Sequence, residues 1–368
     1  MNYLRITRKF TADSKVVCQK HNHVTSVLFN KQKSLNSLDT EMFDSLLENF
    51  KNWEKDPETK VVLFEGSGQK AYCAGGDIRA LYEEKQKPSP RFKFFRDFFW
   101  KEYLSDYCMA KMRPTQVCIF DGIVMGGGYG ISSQAPFKIA TEHSVFAMPE
   151  TNLGFFTDVG SAYFLPRLKG SLGMYLALTG SILHGKQLVK AGIANYFVHR
   201  ERIPELKRKL YQTESVPAIR ELVNEFSEEV TGSLEDTEEV EKNFSGVSSV
   251  EELFERLKAD NSHWAQKKLQ AMQKHSPISL KVIFDQLGKG KFMDLEEVFA
   301  MEFRLSQNFL EKEDFYEGVR SVLIDKDKNP KWQFRELSEV PNELVNWYFT
   351  KSKWEDLDVA SQKSLIIS

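Results

Sequence analysis

Over its first two hundred residues the chain switches repeatedly between β-branched runs and stretches of helical periodicity, and this alternation limits the fold more than any other feature. Val16–Lys20 and Val24–Phe29 are β-branched runs separated by His21-Asn22-His23, a spacing that predicts a hairpin. Asp39 can cap a helix whose apolar positions Met42, Phe43, Leu46, Leu47, Phe50 and Trp53 share one face. Val61–Phe64 reads as a short buried strand running into Gly66-Ser67-Gly68. An aromatic-rich helix follows from Phe92 to Met112; Pro114 ends it, and Gln116–Phe120 is the next strand. A glycine loop, short strands near Phe137–Ala140 and Val145–Ala147, and a helix after Gly160 complete the pattern. The fold class is therefore α/β, with sites expected where strands end and helices begin.

The last third reads as all-helical. Ser249-Val250-Glu251-Glu252 forms a capping box, Ser276-Pro277 opens a helix stopped by Gly288 and Gly290, and Asp294 with Glu297 begins another through Leu295, Val298, Phe299 and Leu305. Glu225 to Glu241 holds eight acids and no base, the pattern of a solvated linker or exposed helix face. At roughly 150 residues per domain, 368 residues suit two units. A boundary near Glu201–Pro204 divides a strand–helix core, residues 1–203, from a helical region, residues 204–368.

Charge and cysteine content remove several function classes. Lys plus Arg is 50 against 52 for Asp plus Glu, so a general nucleic-acid binder is not expected. Cys18, Cys73, Cys108 and Cys118 make no C-x-x-C spacing and suit a reducing interior. The opening MNYLRITRKFTADS has no apolar stretch of a secretory signal. Its Arg5, Arg8 and Lys9 resemble a transit peptide, but a strand pattern by Val16 leaves little to remove. Gly122 to Phe137 is uncharged yet only 16 residues long with five glycines, too short for a span of about 20, so no membrane association is expected. Gly180 to Lys186 imitates a phosphate loop, but Gln187 stands where Ser or Thr would hold magnesium. No G-x-S-x-G or H-E-x-x-H occurs, and His21 and His23 read as solvated turn residues, so no metal is expected.

Three segments remain: Ala71-Tyr-Cys-Ala-Gly-Gly-Asp-Ile-Arg79, Asp121-Gly-Ile-Val-Met-Gly-Gly-Gly-Tyr-Gly130, and the run from Phe146 through Pro149, Glu150 and Asp158 to Gly160. Singly, glycine runs mark tight turns, and Glu after Pro is an ordinary first-turn residue. Together, two glycine loops can aim two backbone N–H donors at one carbonyl oxygen, beside two carboxylates.

These segments resemble the crotonase, or enoyl-CoA hydratase/isomerase, superfamily. Within it the likeness is strongest to its 3-hydroxyacyl-CoA hydrolase branch, through Met148–Gly160 and Tyr163-Phe-Leu-Pro-Arg167. It continues in Met301-Glu-Phe-Arg-Leu-Ser306, Asp314-Phe-Tyr-Glu-Gly-Val-Arg320 and Leu323–Trp332. The resemblance implies a spiral of ββα turns with a helical C-terminal region. It implies an acyl-CoA whose thioester oxygen lies between the N–H groups of Gly76 and Gly127. Lys31, Lys33, Ala74, Asp77 and Ile78 match its CoA-binding positions, Lys31 and Lys33 as point cations for phosphates. Glu150 and Asp158 match catalytic acids, and Glu102 a substrate-pocket acid. No cofactor is implied beyond the coenzyme A of the substrate.

One departure separates chemistries. Enoyl-CoA hydratases carry a catalytic Glu three residues after the middle glycine, and here that residue is Gly130. Water addition uses two carboxyl groups; this chain keeps Glu150 and has Asp158 eight residues on. Thr157 and Ser161 stand where the hydrolase branch has Pro and Gly. The resemblance thus implies hydrolysis of the thioester of 3-hydroxyisobutyryl-CoA, or a close short-chain 3-hydroxyacyl-CoA, in valine catabolism. Two alternatives stay open: an enoyl- or dienoyl-CoA isomerase or hydratase, and a non-catalytic assembly subunit. The expected location is cytoplasmic, or the mitochondrial matrix in a eukaryote, and a homo-oligomer is left open.

Overall fold

The computed structural model describes residues 14–89, 91–213 and 215–368, so the transit-peptide-like opening residues lie outside it. Two sheets carry the strand–helix part. The larger holds β1 (Val16–His21), β2 (Val24–Phe29), β3 (Val61–Gly66), β5 (Thr115–Phe120), β7 (Phe137–Ala140) and β10 (Tyr196–Phe197), in that order. The smaller runs β4 (Ala71–Cys73), β6 (Ile123–Met125), β8 (Val145–Ala147) and β9 (Leu183–His184). Consecutive strands β3 and β4, β5 and β6, and β7 and β8 each place one member in each sheet. The chain therefore winds as a spiral of β–β turns separated by helices. β1 and β2 form the expected antiparallel hairpin, with Asn22 at φ 50 in its turn, and the other strands of the larger sheet pair parallel.

The larger sheet is buried on both faces, as parallel sheets require. Val62 and Phe64 face the main apolar cluster, which extends from Val16 to Val359. Their neighbours Val61 and Leu63 face Leu206, Val223 and Phe226 of the helices Ile203–Leu210 and Val216–Phe226. Period-two alternation thus serves two layers at once. Helix Thr40–Lys55 begins as expected, its Met42 N–H donating to the Asp39 side chain at 3.1 Å.

Three helical expectations need correction. Helix Pro277–Gly290 runs straight through Gly288, and Gly290 serves close packing, because a Cβ there would lie 2.3 Å from the Ala162 carbonyl oxygen. Ser249 caps its helix, but the Glu252 carboxylate returns to the N–H and hydroxyl of Ser248 rather than to Ser249. The acidic run is partly docked: Glu241 accepts from Ser171 N–H at 2.6 Å, and Glu228 pairs with Lys186. His21 is half-buried and stacks on Tyr211 at 3.9 Å instead of lying free in the turn.

Candidate active site

Three neighbouring parallel strands, β4, β6 and β8, deliver the three motifs from their carboxyl ends. After β4 come Ala74-Gly75-Gly76, after β6 Gly126-Gly127, and after β8 Met148-Pro149-Glu150. Carboxyl ends of parallel strands are where such sheets hold ligands, since chain direction brings every loop to one edge. Gly75, at φ +100, adopts a conformation open to glycine, and a Cβ on it would lie 3.2 Å from Met125 O and 3.5 Å from Gly127 N. The position of a Cβ on Gly127 is 3.3 Å from Gly76 N. The two amides are therefore neighbours. Neither N–H donates to an acceptor among the described residues.

Three carboxyl groups surround this pair. Glu150 opens the turn Glu150–Leu153, is 6% exposed, and its Oε2 is buried without a hydrogen-bond partner. Glu102 projects from helix Phe92–Ala110, and its Oε1 lies 2.2 Å from the position of a Cβ on Gly127 and 3.1 Å from one on Gly76. Asp158 comes from the loop beyond Gly154 and accepts from the Tyr103 hydroxyl at 2.9 Å. Val159, next to it, sits at φ 56, rare and strained for a β-branched residue. With Phe99, Phe155 and Phe315 these groups enclose a cavity of about 70 Å³.

Their protonation follows from this setting. Burial, then the charge of Asp158, pushes Glu150 well above the usual carboxylate range. Burial, then Asp158 and Glu150, does the same to Glu102. Asp158 is pushed up by burial to about 7, with the Tyr103 hydroxyl pulling the other way. Buried side by side, the three acids oppose one another's ionisation, so they do not all carry charge together, and one can be ionised while its neighbours keep their protons.

Of the residues singled out from sequence, Ala74, Gly76, Ile78, Glu102, Gly127, Glu150 and Asp158 line one cavity. Lys31 does not: its Nζ is held by Asp77 at 2.6 Å and Asp39 at 3.0 Å. Asp77 is therefore a partner of Lys31, and Lys33 stands exposed on a separate cleft with Gln32 and Lys70. Gly130 is closed to any side chain, since a Cβ would lie 2.4 Å from Val159 Cβ and 3.0 Å from Asp106 Oδ2.

Four residues with a place around the site are not among the sequence candidates: Tyr103, Asp106, Gln286 and Glu302, although Glu302 lies within the Met301–Ser306 run. Asp106 follows Glu102 by one helical turn, a spacing that was legible. It is 1% exposed with neither oxygen paired, and burial with Glu102, Asp158 and Glu302 around it raises its pKa strongly. Glu302 is fully buried on helix Leu295–Phe309, and burial pushes it up to about 8 against the N–H donors of Ala162 and Gly160. No group of three or more His, Cys, Asp or Glu among the described residues has metal-holding geometry.

Comparison with known proteins places this geometry. The family model described as enoyl-CoA hydratase/isomerase matches residues 24–349. The mitochondrial 3-hydroxyisobutyryl-CoA hydrolase of Gallus gallus is 40% identical over 94% of this chain and 91% of its own length. That of Homo sapiens is 39% identical over 97% and 94%. Among solved structures, a carnitinyl-CoA dehydratase from Mycobacterium thermoresistibile superposes with a TM-score of 0.87 at 28% identity, covering 94% of this chain and 98% of its own. An enoyl-CoA hydratase from Rhodobacter sphaeroides gives 0.82 at 27%, covering 92% and 98%. Strand-end motifs, spiral and near-full-length similarity agree: the chain belongs to the enoyl-CoA hydratase/isomerase family.

Proposed function

We propose that this protein hydrolyses the thioester of 3-hydroxyisobutyryl-CoA, or a close short-chain 3-hydroxyacyl-CoA, to the free acid and CoA, as a step of valine breakdown. The observation that carries this reading is the closure at Gly130. A side chain there would overlap Val159, 2.4 Å from the Cβ position, so position 130 can supply no carboxylate for hydration, and the second acid that hydratases carry there is missing. What the cavity offers instead is an unpartnered carboxyl beside two free amides, and two further acids to grip a hydroxyl. The relatives named as hydrolases of this substrate support the same choice.

In this reading the thioester oxygen accepts from the N–H groups of Gly76 and Gly127. Charge develops on that oxygen as the carbonyl carbon becomes tetrahedral, so the two donors bind the transition state more tightly than the substrate. Ionised Glu150 either attacks the carbonyl carbon itself, forming a mixed anhydride that water then cleaves to the free acid and the restored carboxylate, or takes a proton from a water that attacks directly. The carbon–sulfur bond breaks and CoA departs as a thiolate, whose conjugate acid has a pKa near 8.5 and needs little acid help. Glu102 and Asp158 hold the substrate hydroxyl, and the small aromatic-walled cavity favours short acyl groups. Where the source is eukaryotic, the mitochondrial matrix is the proposed location. Free-thiol release measured across short acyl-CoAs tests this: 3-hydroxylated substrates should turn over fastest. Isomerisation or hydration without thiol release would reject it.

A further inference from the structure

We propose that Glu302 and Gln286, buried side chains of the helical C-terminal region, are positioning residues that clamp the loop carrying Asp158. Glu302 Oε2 accepts from Gly160 N–H at 2.7 Å, and Oε1 from Ala162 N–H at 3.0 Å. Gln286, on helix Pro277–Gly290, donates from Nε2 to the Thr157 carbonyl at 2.6 Å and to Glu302 Oε1 at 3.2 Å. Both side chains are fully buried. The backbone is thus gripped immediately before Asp158 and two residues after it, by groups more than a hundred positions away in sequence.

Between those grips Val159 sits at φ 56. A β-branched residue in that region persists only when its surroundings over-determine it. Here the clamp does so. The same Val159 side chain closes the space over Gly130, so its strained conformation both aims Asp158 at the Tyr103 hydroxyl and blocks the 130 position. Simple packing would be met by apolar residues; two buried polar side chains joined to each other and to three backbone groups of one short loop fix its shape instead. The proposal deepens the hydrolase reading and rests on Asp158 acting in it.

Glu302→Gln tests it. One acceptor oxygen becomes an amide NH₂ facing an N–H donor, so one grip is lost with little change of volume. The expected result is a kcat lower by about 10-fold or more, with KM within about 2-fold, in protein shown folded by circular dichroism. A double-mutant cycle with Asp158→Asn separates positioning from structure. If Glu302 acts through Asp158, adding Glu302→Gln to Asp158→Asn costs no further kcat. Gln286→Leu should show the same pattern and decides the matter by the same criteria if Glu302→Gln does not fold. A kcat within about 2-fold of wild type, or losses that multiply with Asp158→Asn, would overturn the clamp. A fully active Asp158→Asn would instead remove the role of Asp158 itself, and the clamp with it.

Discussion

Gly127→Ala is the smallest change that reaches the centre of the site. Gly127 is not in the left-handed region and begins a short helical turn, so alanine there carries no backbone strain. Its methyl group would lie 2.2 Å from Glu102 Oε1, about 1 Å closer than an ordinary carbon–oxygen contact, and 3.3 Å from Gly76 N. Glu102 is only 2% exposed and must swing away from both glycines, and the methyl crowds the space between the two proposed oxyanion donors, obstructing N–H groups that it does not remove. Loss of one oxyanion donor typically costs about 2.7–4 kcal/mol, or roughly 100- to 1,000-fold in kcat. We expect that loss in a thiol-release assay, with CoA affinity by calorimetry changed by less than about 3-fold and a melting temperature close to wild type. A kcat within about 3-fold of wild type would refute the placement of the oxyanion donors at Gly76 and Gly127.

Glu150→Gln should abolish thiol release yet keep acyl-CoA binding by calorimetry, because the amides and the CoA contacts are untouched. Gly130→Glu should lower hydrolysis and create no hydratase, since Val159 fills the space needed; unchanged hydrolysis would show that position 130 lies outside the site. The carboxyl cluster also makes stability fall with rising pH. Asp158, near 7, and Glu302, near 8, bind protons more tightly when folded than unfolded carboxyls of pKa about 4 do. Their stabilising contribution is therefore complete below about pH 4 and lost as pH rises through about 7 to 8. Asp106→Asn should raise the melting temperature near pH 8 while barely altering kcat, because Asp106 lies outside the acyl cavity. A lower melting temperature for that variant at that pH would contradict its being a repelled acid.

The parts legible in the sequence were those written in local pattern. Asp39 as a cap, the hairpin at Asn22 and the one-sided face of Thr40–Lys55 follow from propensity and periodicity. That Gly76, Gly127 and Glu150 line one cavity was legible because a short motif holds each near a strand end, and Asp158 joins them through the run that continues from Glu150. The rest depends on contacts between distant segments. Nothing local marks Glu302 as the acceptor for Gly160, or Gln286 as the donor to Thr157, since the chain returns to that loop only through its folded C-terminal helices. Lys31 reads as a phosphate cation until the fold brings Asp39 and Asp77 beside it. Thr157 and Ser161, which depart from the hydrolase pattern, turn out to join each other, the Ser161 hydroxyl donating to the Thr157 carbonyl across the Asp158 loop.

In the proposed hydrolysis a water oxygen ends in the carboxylate while CoA leaves. Turnover of 3-hydroxyisobutyryl-CoA in heavy-oxygen water, with thiol titration and mass spectrometry of the acid, measures both halves together. The expected result is one free thiol per acid formed and incorporation of heavy oxygen into the carboxyl group under multiple turnover. An intact thioester carrying an added or shifted group, with no free thiol, would contradict it.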